Sequence, residues 1–363
     1  MTKRAYVFNP GPAALPLEVL EEAQQQLVDH EQMGLSIMEM SHRSKYVQQM
    51  NDETQQLLLE LLGLQQGEYH VLFMGGGAST QFALLPMNFL TPGTTANYVL
   101  TGSFSDKAYK EAKFIGSTHI AASSKADGWQ RIPDSGDIQI SEQAAYVHIT
   151  TNNTIEGSRY NALPETGDVP LFADMTSDIL SRPLPFDRFS LIYAGAQKNL
   201  GPAGVTAVIL KDELLQRAAT NIPVIMRYET FVKDRSLYNT PPVHAIYMTN
   251  LMLQWVKKQG GLAAMEQLNQ EKAGLLYDTI DGSGGFYKGI IHPEHRSDMN
   301  VTWRMPNEEL EREFLEESKL LNFIGLAGHR SVGGLRASTY NAVPREACQA
   351  LADFMADFMK RKG

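Results

Sequence analysis

Residues 169–198 read VPLFADMTSDILSRPLPFDRFSLIYAGAQK, and two short apolar runs frame the stretch. The first, Val169 to Ala173, ends on Asp174; the second, Leu191 to Ala194, passes through Gly195-Ala196-Gln197 into Lys198. Unbroken apolar runs of this length predict strands buried on both faces, as in a parallel sheet. If both strands lie in one such sheet, Asp174 and Lys198 emerge together at its carboxyl edge, where open α/β sheets bind ligands. A lysine there can form a Schiff base, and a carboxylate there can pair with a pyridinium nitrogen. Those are the two protein groups that pyridoxal phosphate (PLP) chemistry needs. Taken singly, a loop lysine is usually solvated and a strand-end aspartate usually caps a turn. Small residues around Lys198 (Ala194, Gly195, Ala196, Gly201, Gly204) favour close backbone approach and the chemical reading.

Outward from this stretch the alternation continues. Tyr69 to Met74 predicts a strand, followed by Gly75-Gly-Gly-Ala-Ser79 and a helix through Gln81 to Asn88. Ala96 to Thr101 predicts another strand with a helix from Ser105 to Lys113, and Tyr146 to Thr150 and Val205 to Leu210 add two more strands. Helical patterns at Leu17 to Val28 and about Ser44 to Leu62 precede them. Strands separated by helices predict an α/β fold with a mostly parallel central sheet flanked by helices. Helical patterns then run from Val243 to Lys258 and from Leu262 to about Ile280. The last hundred residues read strand (299–304), helix (308–321), strand (335–339) and helix (345–360), an α+β pattern. We therefore expect a large domain over 16–259 and a smaller C-terminal domain over 260–363. The segment 1–15 could belong to either, and packing on the smaller domain is one arrangement.

Composition narrows the function. With 363 residues, 43% apolar and 20% charged, the chain has ordinary globular make-up. Its 41 Asp and Glu exceed its 32 Lys and Arg, for a net charge of −9, which argues against a nucleic-acid partner. A single cysteine, Cys348, rules out a disulfide framework and a four-thiolate zinc site, and fits a reducing, cytoplasmic compartment. No apolar run approaches the roughly 20 residues of a membrane span, and the start lacks a signal-peptide core. No metal site is expected: His292 and His295 are three apart, but Pro293 between them disfavours a helical metal face.

Two further features point to anions. The Gly75–Ser79 loop sits where a strand turns into a helix, so free N–H groups and the helix amino end favour a phosphate. It matches neither a dinucleotide fingerprint nor a Walker A loop. Ser41-His42-Arg43-Ser44-Lys45, His329-Arg330 and Arg336 supply cations, and arginine suits carboxylate and phosphate. Arg336 is the strongest of these, because it opens an apolar segment just after Gly333-Gly334.

Taken together, several segments carry a resemblance. They are Phe8-Asn-Pro-Gly-Pro-Ala, Met40-Ser-His-Arg-Ser, the glycine loop with Gln81-Phe82, Ala173-Asp174 and Tyr193-Ala-Gly-Ala-Gln-Lys-Asn-Leu-Gly-Pro-Ala-Gly204. Tyr238-Asn-Thr-Pro-Pro242 and Gly328-His-Arg-Ser-Val-Gly-Gly-Leu-Arg-Ala-Ser-Thr-Tyr-Asn341 complete the set. Over nearly its whole length the chain resembles the phosphoserine aminotransferases, class-V enzymes of PLP fold type I. The resemblance implies a homodimer with shared active sites. It implies amino transfer from glutamate to 3-phosphohydroxypyruvate in serine biosynthesis, through a Lys198–PLP Schiff base and ping-pong kinetics. It places Asp174 at the pyridinium nitrogen, Phe104 on the ring, Thr154 near the phenolic oxygen, and Gly77, Ala78, Ser79 and Gln197 on the cofactor phosphate. Asn239 and Thr240 would reach that phosphate from the neighbouring subunit. Arg336 would take the substrate α-carboxylate; His329 and Arg330, with His42 and Arg43 of the other subunit, would meet the substrate phosphate. Two departures stand out: the glycine loop lacks an arginine some members carry, and the ring-stacking residue, often Trp, is Phe104. A longer phosphorylated keto acid of vitamin B6 synthesis is a second candidate acceptor. The alternatives are an alanine–glyoxylate type aminotransferase, a cysteine desulfurase using Cys348, and a PLP-binding protein without turnover.

Overall fold

The structure is a computed structural model and describes residues 4–363. A short strand, β1 (Tyr6–Val7), precedes helices α1 (Leu17–Gln25) and α2 (Lys45–Leu62). The Ser44 hydroxyl accepts the Val47 N–H at 3.2 Å to start α2, and Gly63, in the left-handed region at φ 67°, stops it. The chain then alternates β2 (Tyr69–Met74), α3 (Gly77–Phe89), β3 (Thr95–Leu100), α4 (Ser103–Ala112) and β4 (Thr118–Ser123). β5 (Ala144–Thr150), β6 (Leu171–Asp174), β7 (Phe189–Gly195) and β8 (Thr206–Lys211) complete a seven-stranded sheet in the order β2-β8-β7-β6-β5-β3-β4.

Every strand of this sheet is parallel except β8, which runs antiparallel to both β7 and β2. Side chains alternate across it. Val71, Phe73, Val147, Ile149 and Ile192 face one core with Leu58 of α2. Leu72, Tyr98, Tyr146, Phe172 and Tyr193 face the other with Phe82 and Leu85 of α3. Apolar residues therefore serve on both faces, which is why these strands read as unbroken apolar runs. Each fully buried side chain of this kind contributes roughly 1.5–3 kcal/mol relative to exposure.

After α5 (Tyr228–Lys233), helices α6 (Val243–Lys258) and α7 (Gly261–Asp281) lead into the C-terminal region. There β9 (Lys288–Gly289), β10 (Asn300–Arg304), α8 (Glu308–Leu320), β11 (Phe323–Ile324), β12 (Leu335–Ser338) and α9 (Arg345–Lys362) follow. β12, β10 and β9 form an antiparallel sheet in that order, while β1 pairs with β11. A third core gathers Trp303, Phe314, Cys348, Phe354 and Phe358, and Phe8 from the N-terminal segment joins it. Within α7, Lys272 is fully buried, and its ammonium donates to the Tyr340 carbonyl at 2.8 Å.

The sequence reading has none of the short elements β1, α5, β9 and β11, and it differs from the fold in two longer ones. β4 was not expected: its THIAAS sequence has no apolar run, because it lies at the sheet edge with only Ala121 buried. The first helix stops at Gln25 instead of Val28, which is 82% exposed and has no core to bury against in this chain.

Candidate active site

Asp174 is the last residue of β6 and pairs in register with Tyr193 on β7. Three residues beyond the end of β7 comes Lys198, in the loop that turns back into the antiparallel β8. Both side chains thus arise at the carboxyl edge of neighbouring strands, as the sequence predicts. β2 delivers α3 to the same edge through Gly76, whose φ of 91° suits glycine. A Cβ there would also collide with the Thr80 side chain. The first N–H groups of α3 have no partner within the helix. Gly77, Ala78 and Ser79 line a cavity of about 260 Å³ together with Asp174, Lys198 and Gln197.

Phe104 enters this cavity from the first turn of α4. That turn is held by the Ser105 hydroxyl, which accepts from Thr101 and Gly102 N–H groups at 2.9 and 3.1 Å. It is held also by Glu156, whose carboxylate accepts from the Ser103 N–H at 2.8 Å and the Ser103 hydroxyl at 2.6 Å. Thr154, in the loop after β5, accepts from the Lys198 ammonium at 2.6 Å on its hydroxyl. Its carbonyl accepts from Arg336 Nη1 at 3.0 Å. Arg336 is only 4% exposed, and its Nε has no hydrogen-bond partner among the described residues. His329 closes the lining.

Burial dominates the electrostatics. It pulls the Lys198 ammonium down to about 8, with Arg336 acting in the same direction and Asp174 opposing. It pushes the Asp174 carboxyl up, against hydrogen bonding from Thr176, whose N–H donates at 2.9 Å, and against the Lys198 charge. Burial also raises Glu156, against the Ser103 hydrogen bonds and Arg336. The Lys198 amine lies 5.4 Å from the Phe104 ring centroid. An amine, a carboxylate, an aromatic plate and a helix amino end therefore surround one cavity. This donor set fits PLP, with its aldehyde, ring nitrogen, flat ring and phosphate.

The structure gathers on this cavity all of the cofactor-side residues predicted from within one chain, together with His329 and Arg336. Arg330 is exposed beside His329. Asn239 and Thr240 are exposed, and His42 and Arg43 lie in the turn before α2; none of the four lines the cavity. Cys348 is buried in the C-terminal core, where burial pushes its thiol up to about 12, and it does not line the cavity. That removes the thiol a desulfurase would use. Sequence reasoning missed Thr176, whose place two residues after Asp174 was the only available signal. It also missed Asn152, Glu156 and Lys107, which no motif marks.

The aminotransferase class-V family profile matches residues 5–351. Over 363 residues the chain is 56% identical to the phosphoserine aminotransferase of Niallia circulans, covering 100% of both. Its structure resembles that of phosphoserine aminotransferase from Bacillus circulans subsp. alkalophilus, with a TM-score of 0.97, 56% identity and 99% of each chain covered. A PLP-bound phosphoserine aminotransferase from Trichomonas vaginalis gives a TM-score of 0.91 at 37% identity, covering 97% of this chain and 100% of that one.

Proposed function

The chain belongs to the class-V aminotransferase family, and we propose that it moves the amino group of L-glutamate to 3-phosphohydroxypyruvate, giving phosphoserine and 2-oxoglutarate. The observation that carries this reading is the single cavity on which Lys198, Asp174, the amino end of α3 and Arg336 converge. PLP bound there supplies an electrophilic carbon for amines and a sink for the electrons released at the substrate Cα.

The chain's own residues divide the remaining work. Gly77, Ala78, Ser79 and Gln197 would hold the cofactor phosphate, and Phe104 would pack against its ring. Asp174, kept in place by the Thr176 N–H, would hold a proton on the ring nitrogen. Arg336 grips the substrate α-carboxylate and so orients the Cα–H bond. With PLP bound, the Lys198 amine would take the proton from the substrate Cα as a base. It then returns that proton as an acid. A group poised near 8 suits both directions close to neutrality. Thr154 steadies the amine in its resting position. Two half-reactions through one site give ping-pong kinetics.

The complete site belongs to a homodimer in this reading. His42 and Arg43 would supply cations to the neighbouring subunit's substrate phosphate, and Asn239 and Thr240 would reach its cofactor phosphate. Support comes from exposed apolar side chains beside the same segments: Met38 before His42, and Tyr238 before Asn239. The site also lies between a large domain, 16–259, and a small one, 260–363, with Arg336 bridging to Thr154. A cytoplasmic location accords with the lone reduced Cys348. Among the described residues no helix is long and apolar enough to cross a membrane.

The test is direct. The holoprotein, mixed with phosphoserine and 2-oxoglutarate, should release glutamate with parallel-line initial-rate kinetics. Borohydride reduction followed by peptide mass analysis should place the cofactor on Lys198, and Lys198→Ala should lose covalent retention. Retention by that variant would overturn the assignment of Lys198, and absence of glutamate release from wild type would overturn the substrate assignment.

A further inference from the structure

We propose that Lys107 is a further substrate-binding residue, a cation at the cavity mouth that takes the phosphate of the phosphorylated substrate and distinguishes it from glutamate by charge. This rests on the function proposed above and deepens it.

α4 presents Lys107 one turn after Phe104, and the Lys107 ammonium lies 5.0 Å from the Phe104 ring centroid. Its neighbours Lys110 and Lys125 share one carboxylate. Lys110 pairs with Asp106 at 2.6 Å, and Lys125 reaches the same carboxylate at 3.6 Å. Lys107 has no carboxylate within 4 Å among the described residues. The same is true of Arg330, Arg336 and His329. The His329 ring is fixed by Ser331, whose N–H donates to Nδ1 at 3.2 Å, so in the neutral ring Nε2 carries the proton as a donor. The charges of Arg336, Lys107 and Arg330 add to burial in disfavouring protonation of His329, so the four groups share one electrostatic neighbourhood.

Lys107, Arg330 and Arg336 are three positive charges that repel one another around the His329 donor; Glu156 acts on Arg336, and the cluster is conspicuous in a chain of net charge −9. An anion arriving among them relieves that repulsion. Lysine acts on phosphate as a mobile point charge, and its flexible stem lets the ammonium leave the ring for an incoming group. A second reading gives Lys107 only the task of bracing Phe104. That reading predicts equal damage to both substrates.

Charge arithmetic separates the two. A phosphate monoester carries about −1.5 to −2 at neutral pH, whereas the glutamate side chain carries one negative charge. Coulomb energy scales with charge, so doubling it squares the ratio of rates. Lys107→Met in the holoenzyme should lower kcat/KM for phosphoserine about tenfold, mostly through KM, and that for glutamate about threefold. The two half-reactions are read separately from the cofactor absorbance. Inorganic phosphate should become a weaker competitive inhibitor, and Lys107→Arg should restore most of each loss. Equal losses for both substrates, an unchanged KM for phosphoserine, or failure of arginine to rescue would each overturn the proposal. Wild-type enzyme that uses glutamate but not phosphoserine would overturn the proposed function, and the role of Lys107 with it. Wild type that uses both, with Lys107→Met unaltered, would overturn the role of Lys107 alone.

Discussion

Lys272→Met should stabilise this protein at neutral pH. The Lys272 side chain is fully buried in α7, and burial pulls its ammonium from 10.5 to about 8, opposed by Cys348 and Asp298. A drop of that size corresponds to about 3 kcal/mol, at about 1.36 kcal/mol per pH unit. Below pH 8 the lysine is charged in both folded and unfolded chains, so the folded state carries the whole cost. Between 8 and 10.5 the unfolded chain holds a proton that the folded one has lost, and stability rises with pH. Methionine has no such cost at any pH. It gives up the bond to the Tyr340 carbonyl, worth about 1 kcal/mol, but that carbonyl keeps the Val343 N–H at 2.9 Å. The net gain at pH 7 is therefore about 2 kcal/mol, within the range seen when hydrophobes replace buried charges. The assay is urea unfolding of wild-type and variant holoprotein at about pH 7 and about pH 9.5, chosen to bracket the folded pKa from which the cost is worked. The variant's advantage should shrink steadily across that interval. A variant less stable than wild type at pH 7, with a difference independent of pH, would refute the reasoning.

Asp174→Asn removes the buried charge that would hold the proton on the cofactor ring nitrogen. Losing one partner of such a pair costs about 3–5 kcal/mol, so single-turnover rates with glutamate should fall about two to four orders of magnitude. A loss below about tenfold would contradict the role given to Asp174. Arg336→Lys keeps a cation but loses the planar fork. Since both substrates carry an α-carboxylate, KM should rise about tenfold for each, measured in the separate half-reactions. A selective effect on phosphoserine would instead place Arg336 at the phosphate.

The sheet and its chemistry were legible because both depend on local signals. Residues such as Phe172 and Ile192 are buried on opposite faces of one sheet, so their strands read as apolar runs, and Asp174 and Lys198 follow from where those runs end. β4 escaped because nothing packs over most of this edge strand: Ala121 is buried, but Thr118, His119 and Ile120 are not, whereas the other edge strand, β2, fills both cores. Phe104, Thr154 and Gln197 became visible only through the family resemblance, since nothing in their neighbours marks them. Glu156 and Lys107 had no signal of either kind. Glu156 matters because its carboxylate meets the first turn of α4, a contact that the loop after β5 makes only once the chain has folded.

The hydrogen-bonded register of β6 against β7 has a consequence for how this protein tolerates change. Asp174 and the start of the Lys198 loop are spaced by a backbone ladder, with Asp174 opposite Tyr193. Neighbouring strands keep about 4.8 Å between them whatever side chains they carry. The peptide itself is thus the gauge that sets acid against amine. Apolar residues beneath the edge can be exchanged for others of similar volume without recalibrating the pair. An inserted or deleted residue between the Phe172–Leu191 rung and the edge, by contrast, would shift the gauge by a whole division.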